Sequence, residues 1–327
     1  MDTRSFLFKL FPPPTFLVMP HAGLDISDEA IRCIEYRRTS KGLVISKHAT
    51  QQLPPGLVDG GDIKDEKAFV DVLKQFVSKN NLSYVKVSLP EEKAYLFQTE
   101  VPTADFRSIA QNIEFKLDQN VPLSAADAIF QFDLMPRAVT GDVLRASVSV
   151  VPRTYVEHHV ALLKEAGVST VAFEVAPKAI VTAYEPPHSE GTHLIVHIMK
   201  KKSGLYIVSE GVVCFTSTIA WGSDSLGDAP VAGAGDALMA EIGRVHAYWM
   251  TRTDARARIS EIVVVGSRAE ACESIIRNQG SDIIAHTVLP DVWHNAFDVN
   301  SYVPPITKTE SLEYVIAAGL ALISPIA

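Results

Sequence analysis

Two stretches of this chain open the same way: β-patterned segments in quick succession, joined by tight turns, that run on into alternating strand and helix patterns. That order restricts the chain to α/β architectures, in which a sheet must cover its faces with the helices that connect its strands. In the first stretch Gly23 to Tyr36 and Leu43 to Leu53 read as strands joined at Lys41-Gly42. Beyond the Leu53-Pro54-Pro55-Gly56 loop, Phe69, Val72, Leu73, Phe76 and Val77 fall at helical spacing behind Asp65 as a cap, and Tyr84 to Leu89 follows as a strand. The second stretch repeats the theme with strands over His193 to Met199, Leu205 to Val208 and Val212 to Ile219, turning at Lys202-Ser203-Gly204 and Glu210-Gly211. A helix from about Asp236 to Met250, a strand from Ile262 to Val265, a helix from Ala269 to Arg277 and a last helix from Ser311 to Leu322 complete it. The repeated order points to a duplicated architecture, although the halves share little sequence.

Between the two stretches lies a smaller unit. Ala94 to Val101 reads as a strand, and a helix opened by Thr103 carries Phe106, Ile109, Ile113 and Leu117 as one apolar stripe. The strands Ile129 to Leu134 and Val143 to Val151 flank a turn at Thr140-Gly141, with an alternation that leaves one face to solvent. The main pattern then resumes with a helix from Thr154 to Ala166, a strand from Val168 to Phe173 and a helix through Ala179 to Tyr184. Pro186-Pro187 marks the best boundary. The expected division is therefore an apolar arm over residues 1–20, a first lobe over 21–186 with an insertion at about 91–151, and a second lobe over 187–327.

Composition narrows the function. A net charge of -8 with dispersed basic residues disfavours nucleic acid. Cys33, Cys214 and Cys272 are far apart and form no metal-ligand pattern, which fits buried thiols in a reducing compartment. No run reaches the roughly 20 apolar residues that cross a bilayer. The arm is rich in Phe and Leu but is interrupted by Pro12, Pro13 and Pro14, unlike a signal peptide. It reads as a segment that packs on the body or on a partner rather than a lipid anchor, because Arg4 and Lys9 are its two cations.

Four segments resemble the PilM family of the actin-like superfamily. They are Gly23-Leu24-Asp25-Ile26 with Ile31 to Tyr36, which looks like the family's opening strand hairpin, Leu53 to Gly60 with Ile63-Lys64-Asp65, Ile113 to Leu123 with its Pro122, and Val263 to Ser267 together with the closing Ala317 to Ala321. The resemblance implies an α/β, actin-like, two-lobed fold built on duplicated ribonuclease-H-like cores, with a small α+β subdomain inserted in lobe I. It also implies a cytoplasmic scaffold of a type IV pilus or related secretion machine, peripheral at the inner face of the cytoplasmic membrane. Its partners would be the cytoplasmic tail of a PilN-like membrane protein, held near the insertion at about Glu91 to Val151, and other pilus platform proteins, with room for a homo-oligomer. The cell-division relative FtsA and the type II secretion protein GspL fit less well, since the sequence lacks a membrane-targeting helix after Leu322 or a following transmembrane helix.

The same resemblance implies a nucleotide site of which only part is present. Asp25 stands at the first magnesium-organising position, but the glycine two residues on is Ser27, followed by Asp28 and Glu29. The second aspartate-bearing loop reads His197-Ile198-Met199, and the adenosine-side loop keeps one glycine in Gly266-Ser267-Arg268. The family's lid, expected at about 222–236, is reduced to a loop. The expectation is a non-enzyme without a cofactor, in which Lys200-Lys201-Lys202 is a solvated turn. The alternative is a nucleotide switch or weak ATPase that holds Mg-ATP with Asp25, Ser27, Lys200 and Gly266. A filament former is a third reading, disfavoured by the missing lid. His158-His159 point apart on a helix and make a poor metal site, and Gly233-Ala234-Gly235 lacks the third glycine of a dinucleotide fingerprint.

Overall fold

The computed structural model describes residues 20–40, 42–140, 143–186, 189–227, 233, 235–251, 258–279 and 286–322. The arm expected over residues 1–20, apart from Pro20, lies outside the described residues, as do Lys41, Gly141, Pro187 and most of the expected lid loop after Gly227.

In chain order the elements are β1 (Ala22–Ile26), β2 (Ala30–Thr39), β3 (Gly42–Gln52), β4 (Val58–Asp59), β5 (Asp62–Ile63), α1 (Glu66–Asn80), β6 (Tyr84–Leu89) and β7 (Tyr95–Pro102). Next come α2 (Phe106–Asn120), β8 (Ala128–Thr140), β9 (Val143–Pro152), α3 (Arg153–Glu165), β10 (Ser169–Val175) and α4 (Ala176–Tyr184). The second half holds β11 (Thr192–Ile198), β12 (Ser203–Ser209), β13 (Val212–Ile219), α5 (Asp236–Thr251), β14 (Ile259–Gly266), α6 (Ala269–Gln279), β15 (Thr287–Val288), α7 (Lys308–Ser311) and α8 (Val315–Ala321).

The two main sheets have one plan. The first runs β10-β6-β1-β2-β3 and the second β13-β12-β11-β14-β15. In each, a three-stranded antiparallel meander is extended on its first strand by two parallel strands reached through helical crossovers. The duplication suspected from element order is thus a topological repeat. Every residue of β11 and β12 is buried, which explains the apolar runs Leu194-Ile195-Val196 and Leu205-Tyr206-Ile207-Val208 at their centres. A third sheet, β7-β9-β8, belongs to the insertion and is covered by Ile109, Ile113 and Leu117 of α2. It leans on the second lobe, where Ser147 Oγ donates to the Val213 carbonyl at 2.6 Å.

Local departures have local causes. The strand expected over Gly23 to Tyr36 is a hairpin, because Ser27 Oγ accepts the N–H groups of Glu29 and Ala30 and turns the chain. Helix α2 is capped by Asp105, whose carboxylate accepts the Arg107 and Ser108 amides, and not by Thr103. Phe106, expected in the buried stripe, is 72% exposed and stacks on Phe132 at 4.8 Å. The last helix is two: a capping box of Thr307 and Glu310 starts α7, and the chain bends before α8.

Although the sheets fall on either side of Pro186, α8 crosses back to pack between β1 and α4 of the first lobe. Such close approach demands glycine on both faces. A Cβ on Gly23 would lie 2.0 Å from the Ala317 carbonyl oxygen of α8, and one on Gly319 would lie 1.8 Å from that of Ala179 on α4.

Candidate functional site

The cleft between the lobes forms where the β1–β2 turn of the first sheet meets the β11–β12 turn of the second. Asp25, Ser27 and Gly266, three of the four residues singled out in the sequence, line one cavity of about 50 Å³ there. Lys200, the fourth, lines an adjoining cavity of about 380 Å³.

Asp25 is buried at the end of β1, where its carboxylate accepts from Ser88 Oγ at 2.8 Å. Burial pushes its pKa above the usual carboxylate range, against the opposing pull of the Arg32 charge and the Ser88 bond. Arg32, also buried, pairs with Glu313 at 2.6 Å and leaves its Nε without a partner. His197, on β11 across the cleft, has its pKa driven down to about 3 by burial and by the charges of Arg32 and Lys202, so it is neutral.

The turns themselves are tied to each other. Ser27 N–H and Oγ both donate to the Ala30 carbonyl, at 3.0 Å each. Glu29 accepts the backbone N–H of Lys200 through Oε1 at 2.7 Å. Lys202, at the end of the same lysine run, pairs with Asp28 at 2.8 Å and with Glu92 at 2.5 Å. The expectation of a wholly solvated lysine turn is therefore corrected: Lys200 and Lys201 are exposed, but the Lys202 side chain is only 16% exposed and engaged from two sides. Burial alone would lower its pKa, and the bonds from Asp28 and Glu92 outweigh that and raise it.

At the remaining edge the Gly266 N–H donates to the Leu312 carbonyl at 3.0 Å and the Ser267 N–H to the Ile198 carbonyl at 2.8 Å. Arg268 lines the larger cavity. Its Nη1 donates to the carbonyl of Gly227 at 2.7 Å.

A second concavity lies between the insertion and the first lobe. Sheet order leaves β10 and β8 as free edges of their sheets, and Ile129, Gln131, Ser149, Val156, Phe173 and Glu174 line a cavity of about 160 Å³ between them. Gln131 Nε2 donates to Glu174 Oε1 across it, and Lys86 pairs with the other oxygen of Glu174 at 3.3 Å. Of these lining residues Ile129 is exposed.

Among the described residues no His/Cys/Asp/Glu group has metal-site geometry, and no helix is long and apolar enough to cross a membrane. His159 is buried and bonds the Tyr155 carbonyl, whereas His158 faces outward. The three cysteines are buried and form no disulfide.

The sequence model of the type IV pilus assembly protein PilM matches residues 23–232. The chain belongs to the PilM family. No curated protein matches it in sequence. Among solved structures, a PilM–PilN type IV pilus biogenesis complex superposes with a TM-score of 0.72 at 16% identity, over 93% of this chain and 98% of that one. The cytoplasmic domain of EpsL, an inner-membrane component of the Vibrio cholerae type II secretion system, gives 0.47 at 11% identity, over 84% of each chain. EutJ, an ethanolamine utilization protein of Carboxydothermus hydrogenoformans, gives 0.49 at 10% identity, over 95% and 90%. In this PilM-family chain the two-lobed actin-like fold is thus present with its inserted subdomain. What sequence reasoning missed are the cleft's ion pairs: Arg32 and Glu313, and Lys202 with Asp28 and Glu92. Arg32 carried a signal, as the one charge within the apolar run Ala30-Ile31-Arg32-Cys33-Ile34.

Proposed function

We propose that this chain is a scaffold of type IV pilus assembly that takes the extended cytoplasmic tail of a PilN-like membrane protein into the groove between β8 and β10, and that it does so without nucleotide or enzymatic activity. The observation that carries the reading is that groove: two free sheet edges face each other across an apolar floor with one buried carboxylate, Glu174. An extended peptide laid there gains backbone hydrogen bonds from the edges and buries alternate side chains. Family membership supports it, as does the likeness to a complex in which PilM is bound to PilN. Attachment to such a partner would place the chain on the cytoplasmic face of the inner membrane.

The residues of the cleft fit Mg-ATP poorly. The amides of Lys200, Gly266 and Ser267 are engaged by the chain's own oxygens, Glu29 stands on the Lys200 amide, and the cavity beside Asp25 has room for a few waters. In this reading the cleft is structural and Asp25 is a buried relic with Ser88 as its partner.

The test is titration of a synthetic peptide, the N-terminal tail of a PilN-like membrane protein from the same organism, onto wild type and onto Ile129→Asp and Ser149→Arg variants. Saturable binding that weakens at least about tenfold in both variants supports the reading, since each places charge or bulk where apolar contact is required. Binding unaffected by either variant, or no binding to wild type, overturns it.

A further inference from the structure

We infer that the closed arrangement of the two lobes is set by a latch of the chain's own carboxylates, in which Asp28, Glu29, Glu91 and Glu92 of the first lobe hold the β11–β12 and β13 side of the second. Four contacts cross the cleft at this point. Glu29 caps the Lys200 N–H at 2.7 Å, Asp28 and Glu92 converge on the Lys202 ammonium at 2.8 and 2.5 Å, and Glu91 accepts from Thr218 Oγ1 of β13 at 3.0 Å. The acids are themselves fixed. Asp28 also accepts the Gly60 and Gly61 amides, each at 3.1 Å, so the β4–β5 hairpin braces the turn from behind. Glu91 is buried, and its neighbour Lys93 pairs with Asp62 of the same hairpin at 2.6 Å.

The placement makes these bonds a latch rather than scattered surface pairs. The chain passes between the lobes at 185–191 and again at the bend between α7 and α8, where Leu312 accepts from Gly266 of the second lobe and Tyr314 from Thr50 of the first. The lobes also share a core around α4 and α8, and the contacts at the mouth of the cleft set how far they close over it. A charge-assisted hydrogen bond in a partly desolvated setting is stronger than an exposed pair, and here several share one ammonium and one amide. Multiple anionic oxygens on the Lys200-to-Lys202 turn are the contacts that a bound polyanion would otherwise provide, so the chain supplies internally the force that closes its lobes.

The experiment is a distance measurement by double electron–electron resonance in the full chain, with spin labels on Lys74→Cys of α1 and Ser274→Cys of α6, both exposed, while Cys33, Cys214 and Cys272 are buried. A single narrow distance is expected in the otherwise wild-type chain. In Glu29→Ala/Lys202→Met a longer-distance population is expected to grow at least about tenfold relative to the closed one, because three charge-assisted contacts are lost. Lys202→Arg keeps a cation within reach of Asp28 and Glu92 and is expected to remain closed. Should the double variant fail to fold, the single variants Lys202→Met and Glu29→Asp, the latter a methylene too short for the Lys200 amide, give the same reading at smaller amplitude. An unchanged distance in any folded variant lacking these contacts, or opening in Lys202→Arg as large as in Lys202→Met, overturns the inference.

Discussion

Glu29 Oε1 sits 2.7 Å from the Lys200 backbone nitrogen, so a carboxylate from one lobe occupies the amide that the facing turn of the other presents to the cleft. Burial raises the Glu29 pKa and the Lys200 amide bond opposes that rise, an arrangement that works only while the two turns stay in register. An incoming phosphate would have to displace this carboxylate and then lie beside Asp28 as well.

Magnesium-ATP is therefore expected to leave the melting temperature of the wild-type chain unchanged. A ligand selective for the folded state at a hundredfold excess over its Kd contributes about 2.7 kcal/mol, enough to move the transition by a few degrees. Differential scanning fluorimetry across a nucleotide titration measures this directly. A rise that Asp25→Ala abolishes would establish the nucleotide switch in place of the scaffold.

His197 gives the cleft a pH signature. Its pKa is about 3 in the folded chain and near 6.5 when unfolded, so between those values the unfolded chain binds a proton that the folded chain refuses. Its contribution to stability is complete above about pH 6.5 and is lost as pH falls towards 3, by up to about 1.4 kcal/mol per pH unit. Asp25, Glu29 and Glu91, whose pKa values burial raises, act in the opposite sense, since their folded forms hold protons more readily. The expected outcome is that His197→Gln loses less stability than wild type between pH 7.5 and pH 4.5 in urea unfolding. Parallel losses in the two proteins would contradict it.

Gly319→Ala tests the packing of the returning helix. Alanine favours a helix over glycine by about 1 kcal/mol, but here the new methyl group would stand 1.8 Å from the Ala179 oxygen and 2.8 Å from its carbonyl carbon, both backbone atoms. Separation of α4 and α8 is the remaining escape, so a net destabilisation of about 1–3 kcal/mol or more is expected. Chemical denaturation measures it, and a neutral or stabilising result would mean that these helices do not pack as described.

Much of this fold was legible because its strands are short apolar runs closed by strong turn residues. Tyr84–Leu89 and Val212–Ile219 have the same limits in sequence and structure. The hairpin break at Ser27 was legible through the family resemblance and not through the residue pattern, because apolar strand residues continue on both sides and the turn is made by one hydroxyl. The Asp105 cap was hidden by Thr103 two residues earlier, since both are good caps and only the geometry decides which carboxylate or hydroxyl reaches the amides. At the cleft, it was the family resemblance that singled out Asp25, Ser27, Lys200 and Gly266, which line two adjoining cavities there. The role of Lys202 was invisible, because a lysine run looks solvated until the distant acids that face it are known.

Arg32 and Glu313 offer an asymmetric test of the same cleft. The Arg32 side chain is 11% exposed and that of Glu313 39%, so loss of one partner strands a buried cation and loss of the other releases an acid to water. Glu313→Ala is therefore expected to cost about 1–3 kcal/mol, the penalty for leaving a buried polar group without its partner, whereas Arg32→Met keeps the apolar stem, removes the charge and costs less. Arg32→Met should also raise the pKa of Asp25 further, because the Arg32 charge opposes the effect of burial there. Urea midpoints of the two variants, with a carboxyl titration of Asp25 followed by NMR, check both parts. Equal or greater destabilisation in Arg32→Met would mean that the guanidinium contributes more to the cleft than its pairing with Glu313, and would place its main partner elsewhere in the cavity.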